Sequence, residues 1–417
     1  MLLIWFQHDQ RPLSGDIMRI GFFTEIFPYH CSLDENNIRE ANNARFSGGI
    51  GNVVYNLLLQ MSKKGHEIYV FTTAAMGEET SVEKHENVTV VRYKPHFKVS
   101  SSPVVLDYLY SGFIFDLDLD IVHAHIGNPI ASLGGALYTK RRRVPFVITY
   151  HEDMTGGYGG LLRRTAVWFL NTFVVDHILS QADVVITPSE YYIERSTHLK
   201  RIKEKVQSIP NGIILEDYQR KYSKRESRDI LHLPQEEKIV LFVGSLTPRK
   251  APDVLVKAMR LVLRDCPDSR LLFVGDGYYR NELETLAEEY GILDQIAFMG
   301  FVDDDTKKLC YSASDIFVLP SRSEGFGIVL LEASAYGLPL VVSDLEVFRS
   351  VVKDGYNGVF TEKENENDLA SKIIYLIKNI DFRNDMGGYA GKKVQDFRWD
   401  SVADETLKLY IDVMRKI

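Results

Sequence analysis

The chain has 417 residues, too many for one ordinary hydrophobic core and suited to two domains of roughly 200 residues each. A hydrophobic fraction of 45% and a charged fraction of 25% exclude disordered and fibrous classes, and a net charge of −8 excludes a general nucleic-acid binder. The three cysteines, Cys31, Cys266 and Cys310, show no C-x-x-C spacing, which excludes a thiolate metal site and fits a reducing cytoplasm.

Residues 1–17 carry only a short apolar run before Asp9, too little for a signal peptide, and are expected to be a disordered extension ahead of Met18. From Met18 short β-branched or aromatic runs alternate with longer amphipathic ones, the pattern of parallel strands joined by helices. Expected strands are Arg19–Thr24, Glu67–Thr72, Thr89–Tyr93, Ile121–His125, Phe146–Tyr150, Val184–Thr187 and Val206–Ile209. The longest candidate membrane stretch, Ala166–Val175, is interrupted by Asn171 and Thr172 and falls far short of the roughly 20 residues that span a bilayer.

Pro210-Asn211-Gly212 is a turn tripeptide suited to a hinge, and the polar stretch Arg220–Arg228 follows it as a connector. A second strand series then runs through Ile239–Val243, Arg270–Val274, Ile296–Met299, Ile316–Leu319 and Leu340–Ser343. Trp399–Lys416 has apolar residues near helical spacing and reads as a terminal amphipathic helix. The fold class is therefore α/β, with two Rossmann-like doubly wound domains, residues 18–212 and 213–396, facing an interdomain cleft. Residues 397–417 are expected to pack back on the N-terminal domain. Open α/β sheets bind ligands at the carboxyl ends of their strands, so the chemistry is expected there.

In Asp315–Tyr336 a buried strand leads through Pro320-Ser321 to Glu324-Gly325-Phe326-Gly327, which is expected to open a helix reaching Tyr336. Gly325 and Gly327 let backbone approach a ligand, and unpaired N–H groups at a helix start favour an anion, so the loop suits a phosphate. Glu324 and Glu332 are eight residues apart, a little over two helical turns, and would point to nearly the same side. Carboxylates accept hydrogen bonds and suit vicinal hydroxyls, one set on a ribose and one on a sugar. The bland alternative makes Glu324 a helix N-terminal charge and Glu332 a solvated residue. Ile328–Leu331 and Ala333 make the helix apolar, however, and a carboxylate there asks for a partner.

The run PSRSEGFGIVLLEASAYGLPLVVSD resembles the E-x7-E motif of retaining glycosyltransferases of family 4, which have the GT-B fold. Gly48–Gly51, Asp120–His125, Thr149–His151, Pro210–Gly212, Phe242–Lys250, Gly275–Gly277, Gly300–Val302 and Asp354-Gly355 also fall in that family's order, so the resemblance covers residues 18–417. It implies transfer of a hexose from a nucleotide-diphosphate sugar to a hydroxyl acceptor, lipid-linked acceptors included, with no cofactor and no metal.

The resemblance makes Lys250 the phosphate ligand, and Arg249 beside it offers a fork that fits phosphate oxygens. The family often has a basic residue where Ser245 stands, so Arg249 substitutes for it or the site carries one fewer charge. The implied donor site comprises Gly49, Gly51, Gly244, Arg249, Lys250, Glu324, Gly325, Phe326, Gly327, Ile328 and Glu332. The catalytic set is His151, Glu324, Lys250 and Arg249. Gly48–Gly51 is not a dinucleotide fingerprint, because Glu25-Ile-Phe-Pro and an insertion of about 20 residues separate it from the first strand. His151 ends a strand, pointing into the crevice, and by resemblance lies beside the transferred sugar, with a hydrogen bond and a charge as its two means of stabilising it. His123 and His125 share a strand face but lack a third ligand, so no metal is assigned.

Two basic runs, Lys140–Arg143 and Arg163-Arg164, the latter beside Leu161, Leu162 and Trp168, are compatible with peripheral contact with anionic lipid, although such runs are usually solvated faces. One departure from the family stands out: Asp344–Ser350 replaces the usual glycine pair and Glu after Ser343. Two other functions keep the same fold, a phosphorylase or epimerase and a silent sugar-nucleotide binder. Acceptor-dependent nucleotide release separates both from a transferase.

Overall fold

A computed structural model describes residues 17–28, 49–99, 102–110, 117–127, 129–153, 165, 168 and 170–416. Expectations for residues 1–16, Cys31, Gly48 and Leu161–Arg164 lie outside the described residues. The chain divides into two compact units, Met1–Asn211 with Trp399–Ile417, and Gly212–Arg398.

The first unit is built on β1 (Arg19–Phe23), β2 (Glu67–Thr73), β3 (Ser81–His85), β4 (Val88–Tyr93), β7 (Ile121–Ile126), β8 (Phe146–Tyr150), β9 (Val184–Thr187) and β10 (Val206–Ser208), with a small β5–β6 hairpin (Phe97–Val99 and Ser102–Val104) beside it. The sheet order is β10-β9-β8-β7-β1-β2-β4-β3, parallel except for β3, which runs antiparallel to β4. Helices cover both faces of a parallel sheet, so its strands read as unbroken apolar runs, and every residue of β4, β7 and β8 is buried. β3 has the opposite character. Its SVEKH sequence is exposed and charged, as suits an edge strand, and Glu83 holds the otherwise buried Arg92 at 2.7 Å.

Helix α1 (Gly49–Lys63) lies in this unit with α2 (Pro129–Arg142), whose last turn carries Lys140, Arg141 and Arg142 at the carbonyl end that favours cations. The terminal helix, Trp399–Met414, also belongs to the first unit. It lies against α1, with Lys64 paired to Asp404 at 2.6 Å and the Tyr410 hydroxyl 2.5 Å from His123 Nδ1.

The second unit carries β11 (Lys238–Val243), β12 (Ser269–Val274), β13 (Ile296–Phe298), β14 (Ile316–Leu319), β15 (Leu340–Ser343) and β16 (Gly358–Thr361), in the all-parallel order β13-β12-β11-β14-β15-β16. β16, a run of four residues soon after Gly355, is a strand that the sequence did not suggest. Chain order reverses between β1 and β7 in the first sheet and between β11 and β14 in the second, the two switch points where such sheets open a crevice.

Candidate active site

At the second switch point the chain leaving β11 forms a tight turn, Pro248–Lys250, ahead of a helix, α3 (Pro252–Asp265). Neighbouring loops lock against it. An added Cβ at Gly275 would stand 2.1 Å from the Gly244 carbonyl oxygen, and Gly275 has φ +125°, so only glycine lets these two backbones touch. Leu246 N–H donates to Asp276 O at 3.0 Å and closes the same contact.

From β14 the chain enters Pro320–Gly327, and helix α5 (Ile328–Ala335) begins only after Gly327, four residues later than the sequence suggests. The reason is Gly327 itself. It takes φ +88° and ψ +61° as the residue before the helix, which breaks the helical phase between Glu324 and Glu332. Those two carboxylates engage separate sets of partners. A Cβ on Gly327 would lie 3.0 Å from Phe348, so the Asp344–Ser350 segment that departs from the family abuts this loop.

Glu324 is 5% exposed. It accepts from Ser321 Oγ at 2.8 Å, pairs with Lys250 Nζ through Oε1, and has Arg249 Nη1 3.7 Å from Oε2. Burial pushes the carboxyl pKa up, but Lys250 and Arg249 more than offset it and hold the group below the usual carboxylate range. Two cations and a carboxylate thus converge where strands β11 and β14 open. Arg249 is brought to the same carboxylate as Lys250.

Sequence reasoning passed over Arg322. Its guanidinium makes a bidentate pair with Asp253 at 2.9 and 2.8 Å, donates to the Pro248 carbonyl, and reaches Glu364 at 2.8 Å, while its own N–H donates to Arg249 O at 2.8 Å. Both walls of the site are tied by this one residue: it holds the turn that carries Arg249 and Lys250 against the loop that carries Glu324. The only signal in the sequence is an arginine inside the motif two residues before Glu324. Arg322→Lys keeps the charge but not the fork, and is expected to raise the KM for a sugar nucleotide by about tenfold while binding of the bare nucleoside stays unchanged. Titration of both ligands checks this, and equal losses for the two would show a general unfolding effect instead.

Glu332 lies on α5, 8% exposed, and the partner that an apolar helix asks for is present three times over. Tyr218 donates to Oε1 at 2.8 Å, Tyr311, on helix α4 (Asp304–Ala313), to Oε2 at 2.7 Å, and Lys307 to Oε1 at 3.3 Å. Burial and the Glu332 charge push both tyrosine pKa values up, which keeps them neutral donors. Lys307 also pairs with Asp304 at 3.0 Å.

In the first unit Gly49 opens α1 with space around it, whereas a Cβ on Gly51 would meet Ile26 at 3.2 Å, so Gly51 lets α1 close on the chain leaving β1. His151 follows β8 directly, is buried, and places Nε2 3.1 Å from His125 Nδ1. Burial lowers its pKa to about 4, so the ring is neutral near pH 7 and the charge among its two expected means of stabilisation is lost. His123 and His125 turn their nitrogens to Tyr410, Thr149 and His151. Among the described residues no cluster of three or more His, Cys, Asp or Glu is arranged to hold a metal ion, and no helix is long and apolar enough to cross a membrane.

Two family models match the chain: Glycosyltransferase Family 4 over residues 47–217 and Glycosyl transferases group 1 over residues 223–393. An uncharacterized glycosyltransferase of Methanocaldococcus jannaschii is 29% identical, covering 88% of this chain and 95% of the relative. The alpha-monoglucosyldiacylglycerol synthase of Acholeplasma laidlawii is 27% identical, covering 96% and 98%. Among solved structures, HepE of Anabaena in complex with UDP and glucose superposes with a TM-score of 0.70 at 19% identity, over 95% of this chain and 100% of that one. The matched segments carry Lys250, the Glu324–Glu332 motif and His151, and the chain belongs to the group 1 glycosyl transferases of glycosyltransferase family 4, with the GT-B fold.

Proposed function

We propose that this enzyme is a retaining, metal-independent hexosyltransferase that takes its sugar from a nucleotide-diphosphate donor and passes it to a hydroxyl acceptor. The observation that carries the reading is the convergence of Lys250, Arg249 and Glu324 at the β11/β14 switch point. Lys250 has three donors, so one can stay on Glu324 while others meet phosphate oxygens. Glu324 then orients the cation, and Arg249 adds a second charge where negative charge grows on the departing diphosphate. A carboxylate already paired with two cations is a poor nucleophile. This supports same-face displacement in which the leaving diphosphate helps to take the acceptor proton, rather than a covalent glycosyl intermediate.

The ribose falls to Glu332, and the Gly325–Ile328 backbone to the phosphates. The first unit takes the acceptor, with His151 offering a hydrogen bond at the carboxyl edge of its sheet. The similar proteins, a synthase of a glucosylated diacylglycerol and a protein solved with UDP and glucose, support a nucleotide sugar and extend the acceptor class to lipids.

Thermal unfolding against UDP-, GDP- and ADP-hexoses tests the reading. The true donor at a hundred times its Kd is expected to add about 2.7 kcal/mol, while the others add little. Adding acceptor is then expected to release nucleotide, with EDTA without effect. Stabilisation by none of the donors would end the proposal.

A further inference from the structure

Three imidazoles lie in a row at the carboxyl edge of the first sheet. His123 and His125 are two residues apart on β7 and so share one face, with ring centroids 4.4 Å apart, and His151 stacks on His125 at 5.3 Å. Burial pushes the Tyr410 pKa well up, and its hydroxyl lies 2.5 Å from His123 Nδ1. His123 Nε2 lies 2.7 Å from Thr149 Oγ1.

The next pair is the informative one. His125 Nδ1 and His151 Nε2 are 3.1 Å apart, and one of them must donate. His125 Nε2 is buried with no hydrogen-bond partner among the described residues. Were His151 the donor, the His125 proton would stand on Nε2 as a buried N–H facing no acceptor. With His125 as the donor, the orphan is a bare lone pair. Buried N–H groups without partners are the rarer of the two defects. The proton therefore belongs on His125 Nδ1, which leaves the His151 proton on Nδ1, the nitrogen that no described residue engages.

We propose that His125 is a positioning residue: its Nδ1–H fixes His151 as the Nδ1–H tautomer, so that His151 presents a single N–H to a hydroxyl oxygen of the sugar or acceptor. The role given to His151 rests on the function proposed above, but the tautomer does not. All three rings are neutral near pH 7, since burial lowers His123 to about 3, His151 to about 4 and His125 well below its ordinary value. His151 thus acts by hydrogen bonding alone, and its direction is set one residue away from the ligand.

Long-range proton–nitrogen NMR on histidine-labelled full-length protein reads the tautomers directly, with His125→Leu and His151→Ala giving the assignments. The expected wild-type result is His151 protonated on Nδ1 at pH 7. Protonation on Nε2, or a doubly protonated ring, overturns the proposal without any assay of activity. In His125→Leu, His151 is expected to lose its fixed tautomer, and kcat with the sugar nucleotide selected by thermal unfolding to fall roughly tenfold while the KM for that donor stays within about twofold. His125→Asn, whose amide nitrogen stands where Nδ1 stood, should restore most of the rate. A slow His151→Ala with a fast His125→Leu sinks the positioning role alone. A His151→Ala as fast as wild type sinks the role proposed for this edge of the site, and this inference with it.

Discussion

Lys250→Ala is expected to lower the rate of sugar transfer by about 10²–10³-fold, the usual cost of removing one preorganised group that stabilises charge on a leaving oxygen. The same change strips the closest cation from Glu324, a carboxylate only 5% exposed. Breaking a buried pair from one side costs about 3–5 kcal/mol, and the lower end applies because Ser321 and Arg249 remain. The two effects separate by pH. In the wild type the Glu324 pKa lies below its ordinary value, so its stabilising contribution is complete above the unfolded value of about 4.3 and disappears as pH falls through the folded one. The stability gap between wild type and Lys250→Ala should therefore be widest near neutrality and narrow in acid. The loss of rate, measured on folded enzyme near pH 7, should remain. A folded variant that transfers within threefold of wild type would remove Lys250 from the reaction.

The strands were legible because parallel sheets covered on both faces demand continuous apolar runs, and β8, β9, β14 and β15 begin and end where the residues suggest. β3 was not legible: an exposed edge strand with Glu83, Lys84 and His85 has neither an apolar face nor a clean alternation. The site divides in the same way. Residue type together with the family resemblance pointed to Lys250, Arg249 and Glu324. Their convergence depends on the β11/β14 switch, which is a property of strand order and cannot be read along the chain. Arg322 escaped because it acts through its neighbours and stands in no pattern that its own segment makes unusual, whereas His125 stood out beside His123 only as a candidate metal ligand, since its contact with His151 runs between strands. The helical spacing used to relate Glu324 to Glu332 does not apply, because Gly327, whose backbone is left-handed, ends the helix before Glu324 is reached.

Glu332 is the residue where a ligand role and a structural role must be told apart. Its two oxygens offer about four lone-pair positions, and Tyr218, Tyr311 and Lys307 already take three. A ribose diol needs two. The partner most easily released is Lys307, the longest contact at 3.3 Å, which has Asp304 at 3.0 Å to fall back on. Nucleotide binding is thus expected to shift Lys307 onto Asp304 while both tyrosines stay. Glu332→Ala should cost about 3 kcal/mol, chiefly because the fully buried Tyr311 hydroxyl loses its acceptor, and should lower catalytic efficiency roughly 10 to 200-fold. Glu332→Gln separates the causes, since an amide still accepts from a tyrosine and keeps most of the stability, but gives up the charge-assisted bonds to a diol. If the ribose reading holds, Gln raises the KM for the donor at least about tenfold with kcat little changed. If Gln is stable and its KM is that of wild type, Glu332 serves only to hold Tyr218 and Tyr311 in place, and the ribose must find its hydrogen bonds elsewhere on the second sheet.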